Sequence, residues 1–120
     1  MMNIDEYIFV YFLLICVPTI IVVLHIIAYI KYTKRVNVIL FFRPGCPYCD
    51  MLIPEWNKFI NMTHDKNIII KEIDIQKCPD IADKFKVSNI PHIIRIQKNK
   101  EIVYYGNRTA QDIFNFVNNK

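Results

Sequence analysis

Between Tyr7 and Ile30 the chain contains no Asp, Glu, Lys or Arg. Those 24 residues would make a helix of about 36 Å, against a bilayer hydrocarbon core of about 30 Å. A helix apolar all round must be buried, and in a chain of 120 residues there is no core large enough to enclose it, so a membrane span is expected over 7–30. Lys and Arg are absent from the first 30 residues, where the tail 1–6 carries only Asp5 and Glu6, and no Ala-x-Ala-like site follows the apolar run. A cleaved signal peptide needs a basic start, a shorter apolar run and such a site, so an uncleaved anchor is the expectation. Cations first appear at Lys31, Lys34 and Arg35. The positive-inside rule then puts whatever follows on the cytoplasmic side, with the lumenal side as the alternative. The chain also lacks low-complexity tracts, internal repeats and any basic run interleaved with aromatics, so its net charge of +4 does not describe a nucleic-acid surface.

Within the apolar run, Pro18 is expected to kink the helix, as membrane helices tolerate. His25 and Cys16 are expected to be a neutral interfacial group and an inert apolar residue. After a basic linker over 31–35, a domain over 36–120 is expected. Val36 to Phe42 is a near-continuous β-branched and aromatic run, the pattern of a strand buried on both faces. Arg43-Pro44-Gly45 breaks it, and a helix begins at Cys46 or Pro47, with Leu52, Trp56, Phe59 and Ile60 on one face and Pro54 as a kink. A second strand is expected over 67–74, a short helix over 78–86, a third strand over 93–96, a polar turn over 98–100 and a fourth strand over 102–105, forming a hairpin with the third. Thr109, with Asp112 in the capping-box position, opens a last helix. The order β-α-β-α-β-β-α requires a right-handed parallel crossover in its first unit.

Cys46-Pro47-Tyr48-Cys49 carries the chemistry. By itself a C-x-x-C pair says redox or metal. A thiolate at a helix start faces free N–H groups and the positive end of the dipole, which lowers the pKa of Cys46 and makes it the nucleophile. Cys49, one turn in, is expected to be more buried and to resolve the mixed disulfide. Arg43 adds positive charge, Pro47 stiffens the loop, and Tyr48 is expected to contact a partner. Cys46 and Cys49 with Cys78 and His64 or His92 would make a four-ligand zinc set, but tetrahedral sites usually use two close pairs, so Cys78 is expected to be a structural or idle thiol.

The domain resembles the thioredoxin superfamily, with four features in family order. These are Phe41-Phe42 followed by Cys46-Pro47-Tyr48-Cys49; Leu52-Ile53-Pro54-Glu55-Trp56; Ile73-Asp74, then Ile81 to Val87, then Ile90-Pro91; and Tyr105-Gly106-Asn107-Arg108-Thr109 before the last helix. The resemblance implies a thioredoxin-like α/β fold with a four-stranded mixed sheet flanked by helices. It also implies a cis bond before Pro91 and an extended substrate pairing with the backbone of Ile90; His92, which follows, could contact that substrate or tune the thiolate, with a plain surface residue as the favoured reading. The implied activity is thiol–disulfide exchange with protein thiols through Cys46 and Cys49, with no cofactor beyond that pair and no metal. The electron partner is left among a thioredoxin-reductase-like protein, glutathione and a sulfhydryl oxidase.

Departures from the family are specific. Pro-Tyr between the cysteines and Arg43 before them are glutaredoxin-like, yet the glutaredoxin Gly-Gly pair is missing. The buried acid expected six positions before Cys46 is Leu40, and the family's first strand and helix have the apolar segment in their place. Two other readings stand beside the oxidoreductase: a redox-inactive thioredoxin-like assembly module at a membrane, and a glutaredoxin-like enzyme acting on glutathione mixed disulfides.

Overall fold

The computed structural model describes residues 1–119, which divide into two compact units, 1–33 and 34–119. The first is one helix, α1 (Ile4–Lys34), 31 residues long with no buried residue. It is long and apolar enough to cross a membrane. It reaches beyond the expected span 7–30 at both ends, and the stretch expected as a linker is helical to Lys34. Lys31 and Lys34 are good helix formers and nothing in 31–34 breaks the helix. Three polar side chains of α1 bond to carbonyls of the helix itself. Thr19 Oγ1 donates to Cys16 O at 2.9 Å, Thr33 Oγ1 to Ile30 O at 3.0 Å, and His25 Nδ1 to Ile21 O at 2.8 Å. Such bonds suit a segment with no water to turn to.

The second unit runs β1 (Val36–Phe42), α2 (Pro47–Met62), β2 (Ile68–Asp74), α3 (Pro79–Lys84), β3 (His92–Gln97), β4 (Lys100–Val103) and α4 (Ala110–Asn118). The sheet order is β2-β1-β3-β4. β1 pairs with β2 in parallel, Val36 opposite Ile68 through Phe42 opposite Asp74. It pairs with β3 antiparallel, Phe41 opposite His92, and β3 pairs antiparallel with β4. This is the thioredoxin-like mixed sheet that the sequence pattern and resemblance implied.

Alternation along β1 sorts the core onto the two sheet faces. Val36, Val38 and Leu40 pack with Leu52, Trp56 and Phe59 of α2 and with Ala110, Ile113 and Val117 of α4. Ile39 and Phe41 pack with Ile94, Phe85 and Val87 on the α3 side. β1 is thus covered on both faces, which explains its unbroken apolar run. Arg95 is the one buried charge among the described residues. Its guanidinium donates to Phe116 O at 2.9 Å and also to Asn119 O, and it lies 5.4 Å from the Phe116 ring centroid. It closes the end of α4, where carbonyls lack helical partners and the dipole favours a cation.

The hairpin differs from expectation by two residues. Lys98 and Asn99 have φ of 51° and 61°, and Gln97 pairs with Lys100. This two-residue turn with both φ positive fits the twist of the flanking strands, so β4 begins at Lys100 instead of 102.

Candidate active site

β1 ends at Phe42, where Arg43-Pro44-Gly45 turns the chain. Gly45 takes φ +75°, a conformation that L side chains adopt at a cost. Cys46 is then the N-cap of α2, with extended φ and ψ of −88° and 112°, and Pro47 takes the first helical position, where its missing N–H costs nothing. The Cys46 sulfur does what a Ser or Asp oxygen does at other helix starts: it accepts the backbone N–H of Cys49 at 3.3 Å. The Cys49 thiol also donates to it, with the sulfurs 2.6 Å apart. Both cysteines are free thiols and both are buried, Cys49 to 1 % exposure.

Their environments push the two thiols in opposite directions. Cys46 is held below its ordinary pKa, first by the hydrogen bond from Cys49, against some desolvation, and further by the N–H groups of Cys49 and Tyr48 and the charge of Arg43. Cys49 is pushed up to about 11, first by burial, then by its hydrogen bond to Cys46 and the nearby Asp50 carboxylate. One sulfur is therefore prepared as a nucleophile and its neighbour is kept as a proton-bearing thiol within bonding reach.

The Ile90–Pro91 peptide bond is cis, and both residues are half-buried. Pro91 borders a cavity of about 160 Å³ with Leu52, Ile93, Tyr104, Tyr105 and Arg108. At Gly106 a Cβ would come within 2.6 Å of the Tyr104 hydroxyl, so a side chain there would displace that ring, whose hydroxyl donates to Asn107 O at 2.6 Å. Arg108 reaches the active-site loop, its guanidinium carbon 5.9 Å from the Tyr48 ring centroid. Sequence reasoning quoted Arg108 only as part of a family-like ending. Arg108 stands sixty positions after Tyr48, and no local pattern predicts the contact.

His92 borders the same cavity, and its ring centroid lies 6.1 Å from that of Phe41. Its Nε2 is buried without a hydrogen-bond partner, and burial holds its pKa below the ordinary value against the opposing charge of Glu101. Cys78 caps α3 without a side-chain hydrogen bond. Among the described residues no three His, Cys, Asp or Glu side chains gather as a metal site.

Leu40 is buried where an acid was expected. Its neighbour in the β1–β2 ladder is Glu72, whose carboxylate accepts the Trp56 Nε1–H at 2.8 Å. Glu55 also acts at a distance in sequence: its Oε2 accepts the Ala110 N–H at 2.9 Å. With Thr109 Oγ1, which accepts the Asp112 N–H at 3.2 Å, it ties α2 to the start of α4.

A dithiol at the start of a helix and a cis-proline before β3, on a four-stranded mixed sheet, define a thioredoxin-like domain. The family model for thioredoxin matches residues 26–119, and the chain belongs to that family. It is 31 % identical over 80 residues to human thioredoxin-related transmembrane protein 1, covering 67 % of this chain and 29 % of that protein. It is 37 % identical over 85 residues to bloodstream-specific protein 2 of Trypanosoma brucei brucei, covering 70 % of this chain and 17 % of that one. The chain therefore spans less than a third of the length of these curated relatives. The first thioredoxin domain of mouse protein disulfide-isomerase A4 superposes with a TM-score of 0.63 at 30 % identity, over 70 % of this chain and 61 % of that one.

Proposed function

We propose that this chain is a membrane-anchored thiol–disulfide oxidoreductase that exchanges disulfides with protein substrates through Cys46 and Cys49. The observation that carries this is the opposed pair of thiols: Cys46, its pKa lowered, accepts hydrogen bonds from Cys49, whose thiol is held near 11. In the reducing direction the Cys46 thiolate attacks a substrate disulfide. One substrate sulfur leaves as a thiolate and takes up a proton, while the other is joined to Cys46. Cys49 then gives its proton to solvent or to the departing thiolate and attacks Cys46 Sγ. The second substrate thiolate leaves and the Cys46–Cys49 disulfide forms. The substrate gains two electrons and two protons, and the pair loses them. The oxidising direction is the reverse, and the potential of the compartment decides between them. The pair itself is the redox centre, with no further cofactor.

In this reading α1 is a single-pass anchor through residues 7–30, and the domain faces the cytoplasm, as Lys31, Lys34 and Arg35 favour. Pro91 and the backbone of Ile90 hold the substrate strand, with Tyr48 as a partner contact. The pair is reset by a reductant, a thioredoxin-reductase-like protein or glutathione, in the reducing direction, or by an oxidant, a sulfhydryl oxidase, in the oxidising one. The test is turnover: the chain is expected to reduce insulin disulfides or to oxidise a reduced test protein, and Cys46→Ser to do neither. A wild-type chain inactive in both assays, with Cys46→Ser retaining full biological function, would make it a redox-inactive module. Activity confined to glutathione mixed disulfides would make it glutaredoxin-like. Orientation is read from the acceptor sequences Asn61-Met62-Thr63 and Asn107-Arg108-Thr109. The cytoplasmic placement expects no change in gel mobility on glycosidase treatment, and a shift would reverse it.

A further inference from the structure

We propose that Arg108, which lies over the Tyr48 ring and borders the same cavity as Tyr105, selects substrates: it favours extended protein segments that carry an acidic side chain close to the reacting cysteine. This deepens the exchange reading above and rests on it. Three features of the rim converge. Arg108 is exposed and its guanidinium lies over the ring of Tyr48, one of the two residues between the cysteines. The ion pairs of the domain, Lys58–Glu55 and Lys77–Asp74, leave it without a carboxylate partner among the described residues. The two tyrosines beside it are far more exposed than an ordinary apolar ring, Tyr48 at 63 % and Tyr105 at 88 %.

Tyr and Arg together are the composition of binding hot spots, and an Arg stacked on an aromatic ring stays charged and free to donate a bidentate hydrogen bond. The cavity that Arg108 and Tyr105 border has an apolar wall of Leu52, Pro91, Ile93 and Tyr104, with Asn89, His92 and Gly106 completing the lining, so that one wall can receive an apolar side chain. The rim therefore reads an apolar residue and a neighbouring carboxylate on one strand. Arg43 on the other flank adds to the positive field that lowers the Cys46 pKa. The one acidic group felt at the cysteines is Asp50, which raises Cys49. An acidic substrate side chain is thus accommodated on the Arg108 side and disfavoured on the α2 side. Glutathione supplies a carboxylate but no apolar side chain, so it fills half of this surface.

The experiment uses the full chain in detergent micelles with four reporter disulfides. Three are peptides identical except for Asp, Ala or Lys beside the cysteine, and the fourth is a glutathione mixed disulfide. In the wild type kcat/KM is expected to fall from Asp to Ala to Lys, with steps of about 3- to 5-fold at low ionic strength, the range of a single exposed charge pair. The steps shrink at high salt, and the glutathione substrate falls below the Asp peptide. Arg108→Met brings the three peptides within about 2-fold of each other, whatever its effect on absolute rates, and Arg108→Lys keeps their order. Charge-independent rates in the wild type, or an unchanged ratio in Arg108→Met, overturn this inference alone. Glutathione as the fastest substrate overturns the choice of a protein segment. Failure to turn over any of the four overturns this inference and the exchange reading together.

Discussion

The two active-site thiols should differ sharply in reactivity, and the difference can be worked from their surroundings. Cys49 has a pKa of about 11 against an ordinary 9.0. At pH 7 its thiolate fraction is then on the order of 10⁻⁴, about a hundredfold below that of an ordinary thiol. A more basic thiolate is intrinsically more nucleophilic, with a Brønsted slope of about 0.4–0.5, which returns roughly tenfold. Cys49 should therefore react about tenfold more slowly than a free thiol on ionisation alone, and more slowly still because it is buried. Cys46 lies on the other side of the ordinary value, so its thiolate fraction exceeds that of a free thiol. The assay is alkylation of the reduced chain with limiting iodoacetamide between pH 5 and 10, located by mass spectrometry of the peptide that holds both residues. The first label is expected on Cys46 across this range, with a rate that levels off below pH 9. In Cys46→Ser, Cys49 should remain slow at pH 7, because burial is the leading cause of its shift and is retained. Equal labelling of the two cysteines, or first labelling of Cys49, refutes the assignment of nucleophile and resolving thiol.

Arg95→Met removes the cation that closes α4 while keeping an apolar stem. The loss of charge-assisted bonds and the Phe116 contact should cost about 2–4 kcal/mol in urea unfolding, whereas a loss below ~1 kcal/mol would show that solvent satisfies those carbonyls as well. Phe59→Ala, at a fully buried position against Trp56, should cost about 3–5 kcal/mol, a large part of the total stability of a domain this size; a thermal midpoint close to wild type would contradict the core described. His92 is half-buried with its pKa lowered by desolvation, so the unfolded chain binds more protons than the folded one as pH falls below the ordinary 6.5. Its contribution is therefore complete above pH 6.5 and is lost as pH falls from there through the lowered folded value. His92→Phe should flatten that acid limb in denaturation midpoints between pH 7 and 5, and a limb as steep as wild type would place the titration elsewhere.

What could be read from the chain was what is local. The unbroken apolar run of β1, the C-x-x-C at a helix start, the Thr109 cap and the strand before Gly106 each carry a pattern within a few residues. The positions of the two glycines were informative for the same reason, since one needs a positive φ and the other a close approach to Tyr104. Contacts between distant segments were not legible. Arg95 on a strand looks like an exposed cation until α4 brings its carbonyls to it, and Glu72 becomes a partner of Trp56 only once β2 lies beside β1. Arg108 meets Tyr48 only in the folded domain. The hairpin offset came from Lys98, which takes a positive φ with no glycine to announce it.

The central claim is that Cys46 and Cys49 cycle between dithiol and disulfide, and equilibration of the full chain against glutathione redox buffers tests it most directly. After acid quench and alkylation, a single two-electron transition is expected, with a midpoint between about −270 and −180 mV, the span from thioredoxin to protein disulfide isomerase. It should involve Cys46 and Cys49 alone and vanish in Cys46→Ser. A pair that stays reduced at every glutathione ratio, or that pairs with Cys78 instead, contradicts the account.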